Sequence, residues 1–174
     1  MNIFDNKFTQ HIAAIFILLI VAGAYFYPET QGKKILSHDT ISSVAAAKEV
    51  ADYTEKGDQI LWTSRVFSGM PAFQVAYSIK ENLLLWIYKS NQLFPHSLWL
   101  SFMLMLGFYI ALSILDYPMT IKLLGAISFS LSTWFLLSIE AGHSTKMITI
   151  AFIPPLIASI LISYKGKWLL GGIL

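Results

Sequence analysis

Cysteine is absent and charge is scarce. With no cysteine, disulfides, zinc–thiolate sites and thiol catalysis are excluded, and any segment outside an apolar setting must hold together by packing. Charged residues make up 13% of the chain, where ordinary soluble domains carry about 25%. They also cluster outside the apolar runs, so an ordinary water-soluble globule is not expected. The net charge is only +2, with no basic stripe interleaved with aromatics, so nucleic acid is not an expected partner. What the chain has in quantity is apolar: 56% of its 174 residues.

That apolar material falls into runs of membrane-spanning length. Residues 8–27 form the first; a helix of about 20 residues crosses a hydrocarbon layer of roughly 30 Å, and residues 12–24 carry no charge. Tyr25, Phe26 and Tyr27 stand where an aromatic belt meets headgroups, and Pro28 stops the helix. Ala22-Gly23-Ala24 mimics a signal-peptide cleavage site, but Lys7 is offset by Asp5 and further spans follow. An uncleaved anchor is the expectation. Further spans are expected at 97–116, 119–139 and 147–164. The tight turn Asp116-Tyr117-Pro118 makes the first two of these antiparallel neighbours. Gly125, Ser128 and Ser132 form a small-residue stripe that lets another helix approach, and Pro154-Pro155 should kink the last span. Residues 168–174 begin a fifth span but are too few to cross, which suggests a partial sequence. The fold class expected is all-α: a polytopic helical membrane protein, one membrane domain over residues 1–174.

Between the first span and the rest lies a polar insert, 28–96. A helix is expected at about 40–56, with Asp39 before it and Gly57 after it. Lys48–Asp52 and Asp52–Lys56 are i,i+4 pairs along it, each worth a few tenths of a kcal/mol. Trp62 to Phe73 reads as an irregular loop broken by Ser68-Gly69 and Pro71. A second helix, about 79–93, has an apolar block between Lys80 and Lys89 and suits the membrane surface. With the N-terminus cytoplasmic, Lys7, Lys122, Lys165 and Lys167 fall inside, leaving Lys146 in a short external connection. The large first loop 28–96 and the connection 140–146 then share the extracytoplasmic side.

Asp39 is the first candidate for chemistry. It follows closely on a span, at headgroup level, where a carboxylate can accept a hydroxyl proton or hold a divalent metal that polarises a phosphate leaving group. Capping the 40–56 helix is the plainer role, and the two are compatible. His38 could tune it. Arg65, His143 and Lys146 are candidates for binding phosphate or pyrophosphate, against ordinary solvation or headgroup contact for each alone. Glu140 could be a second acid, or simply pair with Lys146. Gly69 and Pro71 build a fixed turn, and Trp62 either stacks on a sugar or anchors the loop at the interface, the anchor being preferred.

The ordered set Gly32-Lys-Lys-Ile-Leu-Ser-His-Asp39, Trp62…Gly69-Met70-Pro71-Ala-Phe-Gln74, Gly142-His143-Ser-Thr-Lys146 and Ala151-Phe152-Ile153-Pro154 resembles the YfhO-like bacterial membrane proteins, relatives of the GT-C glycosyltransferases. The resemblance covers nearly the whole chain. It implies a GT-C-like helical fold in the bacterial cytoplasmic (inner) membrane, whose first external loop contributes an essential aspartate, matching Asp39. It further implies a polyprenyl-phosphate-linked sugar as donor and an extracytoplasmic acceptor. Family members are much longer, so the chain would be the N-terminal part of such an enzyme, inactive alone. Ser68 stands where the family leads one to expect glycine. The competing classes are a transporter or flippase, which commonly carries ionisable groups inside its spans, and a non-catalytic membrane scaffold.

Overall fold

The structure, a computed structural model, describes residues 6–76 and 93–173; the surface helix expected at 79–93 falls outside them except for Leu93. Helices α1 (Lys7–Tyr25), α2 (Tyr27–Thr30), α3 (His38–Glu55) and α4 (Phe73–Ala76) precede α5 (His96–Ile114). Then follow α6 (Met119–Ser130), α7 (Thr133–Ala141), α8 (Ser144–Tyr164) and α9 (Trp168–Ile173). Two short strands, β1 (Trp62–Thr63) and β2 (Met70–Pro71), pair antiparallel with Trp62 opposite Pro71 and Thr63 opposite Met70. Apart from that ribbon the described residues are all-α.

Three helices, α1, α5 and α8, are long and apolar enough to cross a membrane, and α6 with α7 makes a fourth if the pair is one broken span. Of the three, α5 is the central post: 67% of its apolar window is buried, against 17% in α1 and 33% in α8. Being apolar on every side, α5 can be enclosed without burying a polar face, and α1, α6 and α8 all pack against it. By contrast α1 buries one stripe, Ala14, Leu18 and Ala22, four residues apart as one helix face requires. His11 extends that stripe, its Nδ1 2.6 Å from the Tyr109 hydroxyl on α5. Leu18, Leu104, Met105 and Met147 are fully buried where the helices meet.

Residues 119–139, expected as one span, form two helices that meet at 47° across Leu131–Ser132. Serine chemistry accounts for the break. The Ser130 hydroxyl bonds to the Ser101 carbonyl and to the Ser101 hydroxyl, both at 2.9 Å, which pins the end of α6 to α5. Ser132 then takes an extended conformation, ψ 142°, and starts α7 afresh. The tie to α5 fixes where α6 stops, and the extended Ser132 sets the new direction. The small-residue stripe also needs correcting. Gly125 faces α5, where a β-carbon would lie 2.9 Å from Leu112 Cδ1, but Ser128 is exposed. The buried line on α6 is Lys122, Ala126 and Ser130.

Pro154 and Pro155 lie inside α8, which runs as one helix from Ser144 to Tyr164. Pro155 has no N–H for the Ala151 carbonyl four residues back. That carbonyl is covered by α5 instead: a β-carbon at Gly107 would fall 1.9 Å from the Ala151 oxygen. Glycine at 107 therefore permits backbone contact between the two helices. The turns are equally local in origin. Asp116, at φ 61°, ends α5 with Tyr117 N–H bonded to Leu112 O at 3.0 Å; aspartate is among the few residues that tolerate the left-handed region. After the turn at Gly166, α9 folds back on α8, close enough that a β-carbon at Gly171 would meet Ser163 Oγ at 2.0 Å.

This topology brings the end of α1, the start of α5 and the α7–α8 turn to one end of the bundle. Polar ties join them there. Glu29 accepts from the Ser97 N–H at 3.0 Å and from its hydroxyl at 2.6 Å, and His96 Nε2 lies 2.6 Å from Ser144 Oγ.

Candidate functional site

The site begins with two helix termini that need particular residues. α7 ends at Gly142, whose φ of 96° is open to glycine at little cost. Its N–H bonds to Ile139 O at 3.1 Å, and the His143 N–H bonds to Ser138 O at 3.0 Å, the paired pattern of a Schellman stop. The stop fixes His143 just beyond the helix. On the other side the N-cap residue of α3 is Ser37, not Asp39, and it makes no side-chain cap bond. The capping role considered for Asp39 is thus overturned. Its carboxylate sits in the first turn of α3, where the helix dipole favours a negative charge.

These two termini meet. Asp39 Oδ2 lies 2.8 Å from His143 Nε2, and His38 Nδ1 is 3.7 Å from Asp39 Oδ1, too long for a hydrogen bond. His143 Nδ1 is buried with no partner among the described residues. At that distance from a carboxylate oxygen, Nε2 is the ring nitrogen that carries a hydrogen and donates to Asp39. Asp39 is half-exposed at 52%, leaving Oδ1 open to an incoming group. The contact is close because Gly142 has no side chain: a β-carbon would fall 2.7 Å from Ser37 Oγ and 2.8 Å from Thr40 Oγ1.

The other residues singled out in the sequence lie elsewhere. Arg65 lines a separate cavity of about 370 Å³ with Glu49, Asp52, Tyr53, Lys56 and Ser64, about 15 Å along α3 from Asp39 by helical rise. The Lys146 ammonium lies 4.7 Å from the centre of the Trp134 ring, a cation–π contact, in place of a pair with Glu140. Trp62 is 57% exposed and covers Gly69, where a β-carbon would meet Trp62 Nε1 at 2.6 Å. Pro71 pairs with Trp62 in the ribbon. So His143 joins Asp39, and Arg65, Lys146, Trp62, Gly69 and Pro71 do not.

Sequence reasoning missed Glu49. Its Oε2 accepts from the Thr63 hydroxyl at 2.6 Å and the Ser64 N–H at 2.9 Å, tying the ribbon to α3. The Thr63 hydrogen bond first, then that of Ser64, holds the Glu49 carboxyl below its usual value of 4.5. Asp52 is likewise lowered, chiefly by its hydrogen bond from Lys48 at 2.9 Å, while Lys56 turns to the Tyr53 ring at 5.7 Å. A divalent metal at Asp39 finds little support in the donor set. Among the described residues no three histidine, aspartate or glutamate side chains converge, and His143 already donates to the carboxylate. Comparison with known protein families, curated proteins and solved structures finds no match for the chain.

Proposed function

We propose that the chain is part of a multi-pass membrane glycosyltransferase of the GT-C type, akin to the YfhO-like proteins. In this reading the loop end of the bundle faces the extracytoplasmic side of a bacterial cytoplasmic membrane, and the donor is a polyprenyl-phosphate-linked sugar. Asp39 takes the proton from an acceptor hydroxyl as that oxygen forms a bond to the sugar's anomeric carbon. The bond from that carbon to the phosphate oxygen breaks, its electron pair leaves with the phosphate, and the configuration inverts. His143 is a positioning residue that holds Oδ2 and leaves Oδ1 for the hydroxyl.

One observation carries the reading: the 2.8 Å contact that joins Asp39 to His143 from a distant part of the chain. It lies at the end of the bundle where α1 finishes and α5 and α8 begin. Lys7, Lys122, Lys165 and Lys167 belong to the opposite end, as the cytoplasmic excess of lysine would require. Transport has less support, because the ionisable residues of these helices, among them Lys7, His11, His96 and Lys146, sit near the helix ends. The test is Asp39→Asn at the chromosomal locus, with cell-surface glycans compared by mass spectrometry. Loss of a glycan by about a hundredfold or more, with protein level and topology intact, is the expected outcome. Unchanged glycans would remove Asp39 from the reaction.

A further inference from the structure

A cavity of about 350 Å³ opens beside the Asp39–His143 contact, between the end of α1 and the start of α5. Its lining includes Glu29, Lys33, Lys34, Ser37, Thr40 and His96. We infer that this cavity is a phosphate-binding site, and, resting on the sugar-transfer reading, that it holds the phosphate of the lipid-linked donor next to Asp39.

Four features point to this ligand. The first is charge: two lysines face one carboxylate, and both Glu29 oxygens are already taken by the N–H and hydroxyl of Ser97. Lysine binds phosphate as a mobile point charge, and the exposed Lys33 and Lys34 follow directly on a glycine turn, Gly32 at φ 82°. The second is depth. The cavity lies between the ends of two helices of membrane-spanning length, the level at which lipid phosphates sit. The third is size, since small-ligand sites of about 300–1,000 Å³ are usual.

The fourth is continuity with the base. Ser37 and Thr40, hydrogen-bonded to each other, line the cavity and bracket Asp39 on the first turn of α3. A phosphate seated there is one helical turn from the carboxylate, so a sugar attached to it would reach Asp39. Arg65 and Lys146 cannot supply that charge from their positions against Glu49 and Trp134.

The experiment uses the full chain in phosphatidylcholine nanodiscs, with undecaprenyl phosphate as the lipid probe and inorganic pyrophosphate as the soluble one. Binding is read by native mass spectrometry and by competition between the probes. Lys33→Gln/Lys34→Gln, which keeps both stems, should weaken binding of the lipid probe about tenfold or more, with an unchanged melting temperature. Arg65→Gln and Lys146→Gln should bind as the parent does. Pyrophosphate that displaces the lipid, and loses that ability in the double variant, would identify the phosphate rather than the tail as the recognised group. Equal binding by parent and double variant would overturn the inference, as would no binding of either probe by the parent. The two readings fail separately. If Asp39→Asn binds the probe and the parent still transfers no sugar in cells, the cavity stands and sugar transfer falls.

Discussion

The two ends of α3 are held in different ways. At its start, Asp39, Ser37 and Thr40 press on a glycine and a histidine brought from the α7–α8 turn. At its far end, Glu49 and Asp52 take partners from within the insert: Thr63, Ser64 and Lys48. Loop closure makes the first kind of contact entropically costly, and it survives because the helices beneath already hold both segments. The second kind closes a short loop and needs no bundle. The difference suggests that the start of α3 reports on the integrity of the whole bundle, while its far end reports only on itself.

Gly142→Ala should break the first end outright. A side chain at φ 96° costs about 1–2 kcal/mol, and the collision with Ser37 and Thr40 adds to it. The expected result is about 2–4 kcal/mol of lost stability in detergent unfolding, with protein that remains folded losing the proposed glycan transfer. His143→Asn sharpens the comparison more gently. Transfer should drop about ten- to a hundredfold, the scale seen when a partner that orients a reacting group is removed, with little change in melting temperature. Arg65→Ala, at the other end, should leave transfer within about twofold. An equal loss from both variants would erase the distinction drawn between the ends.

The far end should respond to acid. The Glu49 carboxyl titrates below its unfolded value of 4.5, so its contribution to holding the ribbon is complete above that value and is lost as pH falls through the folded one. Limited proteolysis after Arg65 should therefore accelerate in mild acid below about pH 4.5. In Glu49→Gln it should be faster at neutral pH and change less with acid. The smallest effect belongs to Ser68, whose φ of 61° is left-handed. Ser68→Gly should raise stability by about 0.5–1 kcal/mol, measured by the same unfolding. A destabilised variant would mean that the Ser68 side chain makes a contact worth more than the strain.

Much of the fold was legible because its causes are local. Helix length and apolarity marked α1, α5 and α8, Gly57 marked the end of α3 and Asp116 the turn after α5, and Lys48–Asp52 formed as its spacing required. The serine at 68, read as a departure from glycine, stands on a backbone that suits glycine. What could not be read depended on partners far along the chain. The break at Leu131–Ser132 needs Ser101 opposite Ser130, and nothing in residues 119–139 announces that partner. Lys122 is 7% exposed although its place near a helix end suggested solvent. At the site, Asp39 and His143 could both be nominated from residue type, but Arg65 and Lys146 had equal claims until Trp134 and Glu49 were seen beside them. The cap was misassigned by two residues, because serine and aspartate both suit that position.

The Ala151 carbonyl that Pro155 leaves without a donor, seated against Gly107, works as a key in a slot. Sliding or rolling α8 along α5 would lose that close backbone seating, and with it a Cα–H···O contact of the kind worth about 0.5–1 kcal/mol. The two helices, α5 and α8, are therefore expected to move as one unit.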